Sequence, residues 1–167
     1  MVKDINSGTN NSNPVELTLV DNSIYFTAYD SSTSAIELFQ SDGTNLGTIV
    51  LSSLINNPQS LTAVEDTLFF SAINEDTGEN CLWYSDGTNS GTGLADCSII
   101  NPQHIFSYEN SVYFIDGNQL LSHDGITSIV DSGAGFDNLV SLDDVLFYTR
   151  GNNLHYHATN HGEFITL

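Results

Sequence analysis

A chain of 167 residues that is 40% hydrophobic is long enough to bury one sizeable core and too apolar to be a disordered acidic tail. Its 21 acidic residues face only two basic ones, Lys3 and Arg150, for a net charge of −19. That excludes nucleic acid and anionic membrane surfaces as partners, since both are held by Lys and Arg, and no apolar run approaches the ~18 residues of a membrane-spanning helix.

At the start of the chain, Met1-Val2-Lys3-Asp4-Ile5-Asn6 has no apolar segment of the kind a secretory signal carries. Val2–Ile5 instead reads as the end of a preceding repeat unit. Residues 1–6 are therefore expected as an extra strand from a preceding or closing repeat, and the chain as part of a longer secreted protein. Glu16-Leu17-Thr18-Leu19-Val20-Asp21-Asn22-Ser23-Ile24-Tyr25-Phe26 then opens a pattern that returns three times. It recurs from Ser60 to Phe70, from His104 to Phe114 and from Asn138 to Tyr148. Leu17, Leu61, Ile105 and Leu139 mark a register separated by 44, 44 and 34 residues. Periods of about 20–50 residues indicate stacked or radial repeats. The four units are expected at about 15–54, 59–98, 103–132 and 137–167 of one domain covering 1–167.

Within the second unit, four β-prone runs cover Ser60–Glu65, Thr67–Ile73, Asn80–Ser85 and Thr92–Cys97. Val, Ile, Phe, Tyr, Trp and Thr fill the runs, with Gly, Asn and Asp between them. No stretch sustains a 3.6-residue period, so no helix is expected. Runs such as Ser23-Ile24-Tyr25-Phe26-Thr27-Ala28 are apolar on both faces and must be sandwiched. Four meander sheets of four antiparallel strands, each buried on both sides, describe a four-bladed β-propeller. An open stack of β units is the alternative and needs polar capping repeats. The loop between the second and third strands shrinks from Asp30–Ala35 and Asn74–Asn80 to two-residue turns in units three and four, which points to a binding face.

Glu37-Leu38-Phe39-Gln40-Ser41-Asp42-Gly43-Thr44-Asn45-Leu46-Gly47-Thr48 and Cys81-Leu82-Trp83-Tyr84-Ser85-Asp86-Gly87-Thr88-Asn89-Ser90-Gly91-Thr92 resemble the ELWxxDGT repeat. That hyalin-like, propeller-type repeat occurs in arrays in large secreted or surface-attached bacterial proteins. Asn13-Pro14, Asn57-Pro58 and Asn101-Pro102 fit the same pattern. The match weakens at Gln119-Leu120-Leu121-Ser122-His123-Asp124-Gly125, and Asn160-His161-Gly162 replaces the Asp-Gly-Thr turn in the last unit. The resemblance implies propeller-like units in an extracellular or cell-surface setting and carries no catalytic residues.

Several constellations are candidate sites. Asp42, Asp86 and Asp124 could ligate calcium. Their spacing instead suits turns in which the carboxylate accepts backbone N–H groups and Gly43, Gly87 and Gly125 take positive φ. Asp21, Glu65, Glu109 and Asp143 occupy one equivalent turn position. In a closed propeller they would form a carboxylate ring holding a cation, most naturally calcium, while short hairpin turns favour acidic residues in any case. His155 and His157 share a strand face about 6.5–7 Å apart. With His161 they could hold zinc or copper, although in repeat register His155 replaces Phe39, Trp83 and Leu121 as a packed ring. If the hairpin is centred on Asp86–Gly91, Cys81 and Cys97 lie opposite each other or one step offset and can form a disulfide, or remain buried thiols.

For catalysis there is no nucleophile elbow, phosphate-cradling glycine loop or zinc-protease motif, and no pair of carboxylates stands out as a glycosidase would need. No cofactor is required, and no catalytic residue is assigned. The expected function is a non-enzymatic extracellular binding or adhesion module for a protein or glycan ligand. A structural spacer in a repeat array is the second reading, and a small glycan-cleaving propeller enzyme the third.

Overall fold

The computed structural model describes residues 1–52, 55–158 and 164–166, the last three through their backbone. Its strands form four antiparallel sheets of four strands, one per repeat, and no helix occurs among the described residues. The first sheet contains β1 (Val15–Val20), β2 (Ser23–Asp30), β3 (Ala35–Ser41) and β4 (Ile49–Val50). The second contains β5 (Asn56–Val64), β6 (Thr67–Ile73), β7 (Asn80–Ser85) and β8 (Thr92–Asp96). The third has β9 (Gln103–Tyr108), β10 (Ser111–Asp116), β11 (Gln119–His123) and β12 (Thr127–Ser132). The fourth has β13 (Phe136–Leu142), β14 (Val145–Arg150), β15 (Asn153–His157) and β16 (Phe164–Thr166). In every sheet the spatial order follows the chain order, so each is a simple meander.

Two backbone devices recur in each sheet. The first hairpin turns over two residues, and the leading one has positive φ: Asp21 at 49°, Glu65 at 50°, Glu109 at 50° and Asp143 at 52°. Tight turns of this sense match the right-handed twist of their strands and require that conformation. The second device is an irregularity in the first strand. Glu16, Ser60, His104 and Asn138 also take positive φ, between 49° and 57°, where pairing with the second strand slips by one residue. A β-bulge of this kind bends the strand and re-aims a side chain.

By its contacts the chain divides into two compact units, 1–101 and 102–167. In the first, Tyr25 and Leu38 share one face of the first sheet, as the β2–β3 register dictates. They pack with Leu68, Phe70, Ala72, Cys81 and Trp83, which share a face of the second sheet. Leu51 and Ile55, from the connection, complete this core. The indole N–H of Trp83 is satisfied by the Ala72 carbonyl at 3.0 Å. On the other face of the first sheet, Phe26 and Phe39 stack at 5.4 Å with Ile5 and Ile24 against them.

Residues 1–6 do not form the strand expected there. They lie along that apolar face, where Ile5 packs against Phe26 and Phe39. Lys3 Nζ donates to the Thr48 carbonyl at 2.7 Å. The buried Asn6 donates to the Tyr29 carbonyl at 2.9 Å and accepts the Ser31 N–H at 2.8 Å. Side-chain hydrogen bonds thus replace a ladder.

In the second unit Tyr113, Ile115 and Leu120 of the third sheet pack with Leu146 and Tyr148 of the fourth. The stacking rule is the same as in the first unit: one face of a sheet meets the opposite face of the next. The fourth sheet is completed by β16, whose Ile165 pairs with Tyr156.

Candidate binding cleft

Each sequence candidate has a defined local setting. Asp42 Oδ1 accepts the Thr44 N–H at 2.9 Å and the Thr44 hydroxyl at 2.7 Å, and Asp86 does the same with Thr88 at 2.8 and 2.7 Å. The threonine hydrogen bonds hold both carboxyls below the usual aspartate range. Thr44 and Thr88 in turn accept the N–H of Gly47 and Gly91 at 2.9 Å. Ser41 meets Thr48, and Ser85 meets Thr92, at 2.7 Å. Residues 41–48 and 85–92 are therefore hydrogen-bonded turns in which Oδ1 of each aspartate holds the threonine two residues on. In the third sheet His123 Nδ1 and Thr127 Oγ1, 2.9 Å apart, take the place of the Ser–Thr pair. Asp124 accepts one weak bond there, from the Ile126 N–H at 3.4 Å.

Asp21, Glu65, Glu109 and Asp143 are all exposed at their hairpin turns. Among the described residues, no three His, Cys, Asp or Glu groups converge to hold a metal ion. His155 and His157 lie on one face of β15, as the alternation of a strand dictates, and both serve as packed rings. His155 stacks on Tyr148 at 5.4 Å, and His157 lies 6.1 Å from the Tyr113 ring. Burial pushes the His157 pKa down, while Glu109 opposes the shift. His161 lies outside the described residues. Cys81 and Cys97 are joined as a disulfide with a Cα–Cα distance of 4.7 Å, next to the paired Leu82 and Asp96.

A cleft that none of these candidates lines opens in the second unit. It is shallow and open to solvent, spans about 830 Å³ and is bordered by His104, Asp137, Asn138, Asn152, Asn153 and Leu154. The elements explain its position. The bulges of β9 and β13 place His104 and Asn138 on its rim with positive φ. The β14–β15 loop, reduced to Gly151 and Asn152, forms its end. In the first two sheets the same connection spans residues 31–34 and 74–79. The longer of these folds back on itself, with the Asn74 carbonyl accepting the Gly78 N–H at 2.7 Å.

Across the cleft, His104 Nε2 and Asp137 Oδ1 stand 3.9 Å apart. Asp137 also accepts the Asn138 N–H at 2.9 Å, and its carbonyl accepts the Thr149 hydroxyl at 2.7 Å, which fixes the wall. Phe136 and Leu154 add apolar surface. The shortened loop was the one sequence signal for this place. His104 carried no signal, because it occupies the position of Glu16 and Ser60 with a different chemistry.

No family model matches the chain, and no curated protein matches it.

Proposed function

We propose that this chain is a non-enzymatic binding module of the ELWxxDGT-repeat kind, displayed on a secreted or surface protein, whose four sheets are the blades of a four-bladed β-propeller. The cleft at His104, Asp137 and Asn152 is its ligand face. The observation that carries the reading is the two-residue β14–β15 turn at the end of the cleft, where the first two sheets have longer connections at residues 31–34 and 74–79. A spacer has no use for such an asymmetry. The polar lining is suited to binding, and its single carboxylate among the described residues, Asp137, contrasts with the two that a glycosidase aligns. The propeller is supported by four meanders with two apolar faces each and by the common stacking rule. A closed ring extends that rule without capping repeats.

Glycan and peptide arrays probed with the wild type and with Asn152→Trp, a cleft-filling variant, test the ligand face. Binding that the variant abolishes supports the reading. Binding that survives puts the ligand face elsewhere, and no binding on any array favours the spacer. Small-angle scattering tests the ring, since an elongated profile would exclude closure.

A further inference from the structure

We infer that the cleft takes a neutral polyhydroxylated ligand, a glycan presenting vicinal hydroxyl groups. This rests on the cleft being the ligand face and adds the chemistry of what enters it. Charge removes the first alternative. The lining contains no lysine or arginine in a chain of net charge −19, so phosphate, sulfate and uronate groups meet net repulsion there. Arg150, whose guanidinium lies 5.8 Å from the centroid of Phe136, is turned through Nη1 to Asp131 Oδ1 at 2.6 Å and to the Ser132 carbonyl at 3.0 Å.

Hydrogen-bonding capacity supplies the positive argument. Asn138, Asn152 and Asn153 are exposed on the cleft, and among the described residues no hydrogen bond within the protein uses their carboxamides. Each carboxamide presents donors and an acceptor side by side. Adjacent hydroxyls of a sugar present the complement, since each both donates and accepts.

The His104–Asp137 pair adds a placed position. At 3.9 Å the two atoms are too far apart to bond directly. A hydroxyl oxygen about 2.8 Å from each can bridge them from the solvent side, about 2 Å off the line that joins them, accepting from the imidazole N–H and donating to the carboxylate. An imidazole and a carboxylate at this separation suit a bridging O–H better than an apolar peptide side chain. Leu154, 44% exposed, offers an apolar patch for the C–H face of a ring.

Saturation-transfer and amide-shift NMR with neutral glucose-, galactose- and mannose-containing oligosaccharides, beside sulfated and uronic-acid counterparts and short peptides, tests this. The expected result is transfer to the neutral sugars alone, with shift changes at His104, Asn138 and Asn152. Asn152→Ala and Asn153→Ala should each weaken binding about fivefold, the factor carried by one ordinary hydrogen bond. Asp137→Ala should weaken it further, with the melting transition checked for each variant. Binding of peptides or anionic sugars at these residues would overturn the glycan class and leave the ligand face standing. Neutral-sugar binding unaffected by all three variants, or no binding at all, would overturn both.

Discussion

The two glycines of the DGTxxGT turn do different work. Gly43 and Gly87 have φ of 87° and 89°, which L side chains rarely adopt. Gly47 and Gly91 are needed for space, since a Cβ there would collide with the carboxylates of Asp42 and Asp86. Gly91→Ala should therefore push Asp86 off its two threonine bonds and lower the unfolding midpoint. Urea unfolding measures the loss, and Gly43→Ala, where a Cβ meets open space but φ is 87°, gives the separate cost of the backbone conformation. Asp86 also predicts a pH effect. Its carboxyl is depressed by Thr88, so its contribution is complete above the ordinary aspartate value of about 3.9 and fades as pH falls through the lowered one. Thr88→Val should return the Asp86 titration, followed by carboxyl NMR, toward that ordinary value. An unmoved titration would mean that the threonine is not the cause.

At the scale of elements, the repetition of apolar pairs showed in the sequence and fixed strand count and order. Phe26, Phe70, Phe114 and Tyr148 recur because two-sided burial constrains both faces of a strand. The bulges were not legible: Glu16, Ser60, His104 and Asn138 share a backbone conformation and no side-chain property. The lining of the cleft was hidden for the same reason, since it gathers residues from four strands and a turn whose repeat positions carry other side chains elsewhere. Residues 1–6 illustrate a different limit, because an apolar residue reads alike whether it packs or pairs. The Cys81–Cys97 bond closes a short loop with a sequence separation of 16, so its removal by Cys81→Ala with Cys97→Ala should cost at most about 3 kcal/mol. Part of any loss reflects the buried position of Cys81 rather than the bond. Reduction of the intact protein, followed by thermal melting, separates the two. A Tm that reductant does not lower would show that the bond adds no stability.

Over the whole molecule, a net charge of −19 makes the folded state repel itself. Sodium chloride should raise Tm by about 2–4 °C for each kcal/mol of repulsion it screens. A ring that brought Asp21, Glu65, Glu109 and Asp143 to one mouth would add a calcium-specific increment, abolished by Glu65→Gln with Glu109→Gln. Identical melting with calcium and with chelator at matched ionic strength keeps all four as turn residues. Base should act on 102–167 through its tyrosines. Burial, with Tyr108 and Glu109 nearby, pushes Tyr113 up to about 12, and burial with the hydrogen bond to Asp131 raises Tyr148. A raised pKa gives stability that is complete below about pH 10 and lost as pH climbs through the folded value. Unfolding followed by tyrosinate absorbance should therefore set in between about pH 10 and 12. Full phenolate absorbance at pH 10 without unfolding would contradict it.

The bulge in each first strand has a consequence for how such a protein diversifies. Glu16 uses it to reach the next sheet, its carboxylate accepting the Leu61 N–H at 3.0 Å, and His104 uses the equivalent place to face Asp137. The conformation is supplied by the repeat, and the functional group by whichever residue occupies it. Each unit thus contains a socket that accepts an acid, a hydroxyl, an imidazole or an amide without disturbing the sheet that holds it. New side-chain chemistry can be installed one sheet at a time, by single substitutions, while the scaffold stays the same.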